Sequence, residues 1–372
     1  MRPWRQTATT LSPGGSSSTI AELISCRTCR GDSLPGTRTT IIYLPVLAAL
    51  LASGVIVLLQ IDRRPQTAPP EPDPSPPTRT AAPVRPKAGD LPMEERSAVQ
   101  LQRDWADYTK SKVRVEVGPG MTFDLVPPGE LDLAKSARFV VSKPYLFGST
   151  VVTRQQFAAF VGAVGGFKTD AETRKNGQYV FFAIDAGGTG NSGGTRMIRG
   201  NFDWVTPGYS DPTDDDPVTQ VSWDDAVAYC DWLSKTEKKT FRLPTNVEWE
   251  WAVRAGDAGA DLPDRPKLPP GIFPVQMIAA GPMRPNPAGV GRTNAWGIRS
   301  GSLVQEWCRD WWGEIPTGRQ TDYANEIRPP SVIRLTRAGS YTDGATTYDH
   351  RAAYLPQAGR SNIGFRVVCE LP

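Results

Sequence analysis

Histidine is nearly missing from this chain: His350 is the single one in 372 residues. Any site that needs a histidine triad is therefore excluded. Cysteine is scarce as well, with Cys26 and Cys29 near the N-terminus and Cys230, Cys308 and Cys369 far downstream. The CxxC of Cys26 and Cys29 can serve as half a zinc site or as a redox pair, but a zinc ribbon needs a second such pair, and the chain has none. Lysine and arginine exceed aspartate and glutamate by 42 − 39 = 3, with no extended run of like charge. That balance gives nucleic-acid binding no support. No internal repeat is visible either.

What the chain does have is an uncharged apolar stretch, Ile41–Ile61, flanked by Arg38 and by Arg63 and Arg64. As a helix at ~1.5 Å per residue it covers roughly 30 Å, the thickness of a bilayer's hydrocarbon core, so it reads as a single membrane span. The 40 residues before it are too many for the charged region of a cleaved signal. It is therefore expected to be an uncleaved anchor. Arg27, Arg30 and Arg38 outweigh Arg63 and Arg64, which orients the N-terminus inside and places the C-terminal domain outside the cytoplasm.

Residues 1–40, rich in Ser, Thr, Gly and Arg without apolar period, read as a disordered arm. Residues 62–92 are so dense in proline that neither helix nor sheet ladder is expected; as a stalk, about 25 of them at ~3.1 Å per residue reach up to ~80 Å from the bilayer. Residues 93–120 comprise an amphipathic helix, with Ala98, Leu101, Trp105 and Tyr108 at helical spacing, and a connector. Residues 121–372 form the main domain.

In that domain Met121–Pro127 alternates as a strand, and Thr153–Val164 places Phe157, Phe160, Val161 and Val164 on one helical face. Ser222 with Asp225 opens a second helix whose stripe is Ala226, Tyr229, Cys230 and Leu233. Thr245 with Glu248 opens a third, stopped at Gly256. The last strand, Ile363–Glu370, aligns Ile363, Phe365, Val367 and Cys369. Long polar loops, Gly187–Gly194 and Asp211–Pro217, separate these elements; Asp214, Asp215 and Asp216 read as a solvated acidic turn.

Several blocks, in order, resemble the formylglycine-generating (sulfatase-modifying-factor) family from Phe123 to Val368. They are Phe123–Glu130, Val151–Phe157, Pro217–Ser234, Arg242–Ala252, Arg254–Gly256, Asn294–Gly297, Glu306–Trp312, Arg337–Tyr341 and Ile363–Val368. The resemblance implies an α+β fold: a loop-rich, sulfatase-modifying-factor (C-type-lectin-like) domain. In the family's aerobic oxidases, two cysteine thiolates hold copper(I), a soft ion matched to soft ligands. Counting from Ser340, which matches the active-site serine, those positions are Asp343 and Tyr348, a hard carboxylate and a phenol that stays protonated at neutral pH. A copper site is not expected. Nor is a calcium site, because Ile298–Trp307 lacks the acid and the asparagine of the family's oxygen-rich segment. The branch that makes sulfoxides of thiohistidines needs a histidine triad, which His350 alone does not supply.

By position, Ser340, Asp343, Tyr348 and Cys308 are the catalytic candidates, and Ser340, Asp343, Tyr348, Arg351 and Trp307 the ligand-binding ones. No metal ligand is assigned. Cys230 and Cys369 read as core residues or as a disulfide pair. Arg351, Arg366, Trp223, Trp249, Trp251 and Trp307 read as core or buried ion-pair positions, with a groove lining as the alternative. The expected function is a membrane-anchored, non-catalytic module for a protein, peptide or glycan. The alternative is a formylglycine-generating oxidoreductase with a variant site that uses Cys308.

Overall fold

The computed structural model describes residues 83–134, 137–174, 178–184, 194–259, 281–282, 284–302, 304–341 and 348–372. The chain divides into two compact units at Thr78 and Arg79, and all described residues belong to the second. The expected anchor at Ile41–Ile61, the arm with Cys26 and Cys29 and the linker up to residue 82 lie outside the described residues. Among the described ones, no helix is long and apolar enough to cross a membrane.

Helices begin where side chains satisfy the otherwise unpaired N–H groups of the first turn. Helix α1 (Glu95–Thr109) buries Ala98, Gln102, Trp105 and Ala106, with Leu101 and Tyr108 half-buried beside them. Thr153 and Gln156 cap α2 (Arg154–Val164) reciprocally; Phe157 and Phe160 are buried. Val164, expected on the same face, is exposed because the last turn of α2 runs past the edge of the core. A single turn, α3 (Asp170–Thr173), follows. Helix α4 (Trp223–Glu237) opens on the Ser222 and Asp225 box and buries the expected stripe. The Thr245 and Glu248 box opens α5 (Asn246–Arg254), which ends at Ala255 in the left-handed region, one residue before the expected stop.

Among the described residues the strands form four sheets. The five-stranded one runs Arg114–Val117, Met121–Val126, Tyr145–Gly148, Val368–Glu370 and Phe241–Arg242, antiparallel throughout. A second runs Gly89–Asp90, Gly129–Ala134, Ala137–Val141 and Gly318–Thr321, so a sheet ladder does form inside the segment read as linker. No proline falls between Pro86 and Pro92 there, and Gly89 donates its N–H to the Pro128 carbonyl. The third orders Arg351–Tyr354, Arg334–Arg337, Gln305–Trp311 and Ile363–Phe365; the fourth joins Gly281–Pro282, Gln178–Ile184 and Gly194–Gly200.

Strand alternation places neighbouring residues in two separate cores. Trp307 packs in a cluster with Phe123, Phe157, Tyr229 and Phe365, whereas Cys308 packs in another with Trp249, Trp251, Leu335 and Tyr348. The expected last strand is two: Ile363–Phe365 pairs with Gln305–Trp307, and Val368–Glu370 crosses to the five-stranded sheet. Arg366 sits at the crossing, buried in an ion pair. The expected face nevertheless holds, since Ile363, Phe365, Val367 and Cys369 share the first core. Cys230 lies in that same core, and both it and Cys369 are free thiols, so the bridge between them is not formed.

Candidate functional site

The site is built on α5 and the strands Gln305–Trp311 and Arg334–Arg337. Glu250 and Arg254 stand four residues apart on α5 and meet at 2.7 Å. The other oxygen of Glu250 accepts from Arg337, with both groups almost fully buried. Arg337 also donates to the Tyr348 carbonyl. Beside this network Glu306 accepts from the Trp249 indole at 2.7 Å and twice from Arg366 at 2.9 Å. Buried charges are tolerated when paired and hydrogen-bonded in this way.

Tyr348 turns inward. Its side chain is 1% exposed, its hydroxyl donates to Asp257 Oδ2 at 3.0 Å, and the Arg254 guanidinium lies 4.4 Å from its ring centroid. Ser340 is also buried, and its Oγ accepts from Asn362 Nδ2 at 3.1 Å. Arg351 is half-buried, donates to the Gly313 carbonyl at 3.2 Å and lies over Trp312. Burial, and then the positive Arg337, push its pKa below the usual arginine range. Asp343 lies outside the described residues.

The remaining candidates move away from a groove. Trp307 is fully buried in the first core and donates its indole N–H to the Val221 carbonyl at 3.1 Å. Cys308 is also fully buried, and desolvation pushes its thiol pKa well up, with Asp310 adding to it. Burial raises Cys230 in the same sense and takes Cys369 to about 11. No described cysteine is a ready thiolate, the form that binds metal or attacks. Trp223, Trp249, Trp251 and Arg366 hold scaffold positions: the Trp223 indole donates to the Cys308 carbonyl and Trp251 to that of Pro127, both at 2.8 Å.

The donor sets do not fit the family's metals. For copper(I), Tyr348 offers a phenol in place of a thiolate, and its hydroxyl is already donated to the exposed Asp257. For calcium, several carbonyls of the equivalent segment already accept hydrogen bonds: Arg299 from Arg366, and Gly301 and Ser302 from Asn286. Among the described residues, no group of three or more His, Cys, Asp and Glu could hold a metal ion. In the acidic turn Asp214 and Asp215 are exposed as expected, whereas Asp216 is fully buried and bound by Arg284 through both oxygens at 2.8 Å. Sequence reasoning overlooked Asp257, Glu250 and Arg254 as partners of Tyr348, although the Glu250 and Arg254 spacing was a legible signal.

Residues 107–371 match the Sulfatase-modifying factor enzyme 1-like domain. The chain is 33% identical over 252 residues to the formylglycine-generating enzyme of Streptomyces coelicolor, covering 60% of this chain and 77% of that one. It is 32% identical over 267 residues to that of Thermomonospora curvata, covering 63% and 84%. It is also 27% identical over 291 residues to the inactive C-alpha-formylglycine-generating enzyme 2 of Bos taurus, covering 68% and 90%. With 265 consecutive residues matched, more than half of its length, the chain belongs to the sulfatase-modifying factor family.

Proposed function

We propose that this protein is a membrane-anchored, non-catalytic member of the family, whose domain binds a protein, peptide or glycan outside the cytoplasm. The thiol inventory carries the reading. The matched segment contains three cysteines, Cys230, Cys308 and Cys369; all are buried and held as neutral thiols, and they are divided between two cores. A two-thiolate centre needs a pair of deprotonated sulfurs converging on one point. The relatives include both active and inactive enzymes, so similarity favours neither role. The apolar Ile41–Ile61 stretch supports the anchor, and the arginine balance around it supports the orientation.

The test is to incubate the full chain with a sulfatase-motif peptide, copper and oxygen and to follow the peptide by mass spectrometry. An unchanged cysteine is the expected result. Conversion to the aldehyde would replace this reading with that of an oxidoreductase, and loss of that conversion in Cys308→Ser would place Cys308 in the variant site.

A further inference from the structure

We infer that Tyr348 is a plug: it fills, from within the chain, a phenol-shaped pocket at the position where the family's oxidases keep their second copper thiolate. The pocket is made by residues that sequence reasoning did not assign. Arg254 roofs the ring at 4.4 Å from its centroid, and Asp257 receives the hydroxyl at 3.0 Å. Arg254 is itself oriented, by Glu250 at 2.7 Å and by the Gly259 carbonyl at 2.7 Å. Glu250 in turn holds Arg337, which binds the backbone carbonyl of Tyr348. Ring, hydroxyl and main chain of one residue are thus tied into a single network, buried at Tyr348, Glu250 and Arg337 and reaching the surface at Asp257.

The consequence extends the non-catalytic reading, on which its copper arm rests. The Cα–Cβ direction at 348 is set by a backbone bound to Arg337, and it leads into the core that contains Trp249, Trp251 and Leu335. A sulfur placed there enters the apolar cluster beneath Arg254. Reinstating a cysteine at 348 therefore removes the plug and directs its sulfur into the core rather than offering it to copper(I). A pocket shaped for a phenol, lined by a cation over the ring and a carboxylate at the hydroxyl, instead accepts a free phenol once Tyr348 is cut back.

The experiment uses the full chain and p-cresol as probe. Tyr348→Ala should lower Tm by about 10 °C, from the cost of truncating a buried aromatic. Millimolar p-cresol should restore part of that loss and leave the unaltered chain unmoved, and toluene, lacking the hydroxyl, should restore less. Equal shifts in both proteins, or no rescue, would overturn the plug. Should Tyr348→Ala fail to fold, Tyr348→Phe and Asp257→Asn carry the test: their Tm losses should be non-additive in the double variant, and strict additivity would overturn it. The D343C/Y348C variant, titrated with copper(I) against a competing chelator, should retain no more metal than the unaltered chain; one tightly held equivalent would overturn it. Oxidation of a sulfatase peptide by the unaltered chain would sink the non-catalytic reading and the copper arm that rests on it but not the plug, since cresol rescue depends on neither.

Discussion

Replacing Arg366 with methionine tests whether the buried charge pair holds the site's scaffold together. Arg366 is fully buried and Glu306 is 2% exposed, joined by two hydrogen bonds of 2.9 Å. The guanidinium also donates to the carbonyls of Gly148 at 2.9 Å and Arg299 at 2.8 Å. Methionine fills similar length but leaves a buried carboxylate with the Trp249 indole as its other side-chain donor among the described residues, and two carbonyls without their arginine. Removing one partner of a buried pair costs about 3–5 kcal/mol, a large share of the ~5–15 kcal/mol that holds a typical domain. For a domain of this size that lowers Tm by roughly 10 °C. Urea denaturation should show a lower midpoint at unchanged slope. The double variant E306L/R366M, which removes both charges, should recover more than half of the loss, because the penalty arises from the stranded carboxylate. A single-variant cost below about 1 kcal/mol, or a double variant no more stable than the single one, would refute the reasoning.

Three further outcomes follow from the same packing. At Gly129 an added Cβ would lie 1.9 Å from Trp251 Cζ2, so Gly129→Ala should leave little folded protein by circular dichroism, and near-normal stability would contradict the fit. Burial raises the Asp310 carboxyl to about 6 against an unfolded value near ~3.9. Its contribution is thus present below about pH 4 and lost as pH rises through about 6, so Asp310→Asn should flatten the stability profile across that window in pH-dependent melts. An unchanged slope would rule this out. Cys230, Cys308 and Cys369, being buried and protonated, should resist a thiol reagent at pH 8 in the native state and react after urea unfolding. Fast native labelling of Cys308 would reopen the variant-site enzyme.

Local chemistry made much of the fold legible before any coordinates. The Ser222 with Asp225 and Thr245 with Glu248 boxes sit in consecutive residues, so their helix starts could be read directly, and α4 buries the stripe its period requires. Family membership was equally legible, because it rests on an ordered set of short motifs between Phe123 and Val368. Pairing over long separations was not. Gly89 joins Pro128 across a segment whose prolines suggested only a stalk, and Arg366 breaks one apparent strand by pairing with Glu306, 60 residues earlier.

The site shows the same division. From the resemblance came the expectation that Asp343 and Tyr348 stand at the thiolate positions, and from composition came the shortage of cysteine and histidine, which needs no geometry. Whether Tyr348 faces a ligand or the core depends on which side of the backbone its Cβ leaves, and that is settled by Arg254 and Asp257, more than ninety residues away. Trp307 and Cys308 are adjacent in the chain yet occupy different cores, because a strand sends successive side chains to opposite faces and only the packed sheets decide what each face meets.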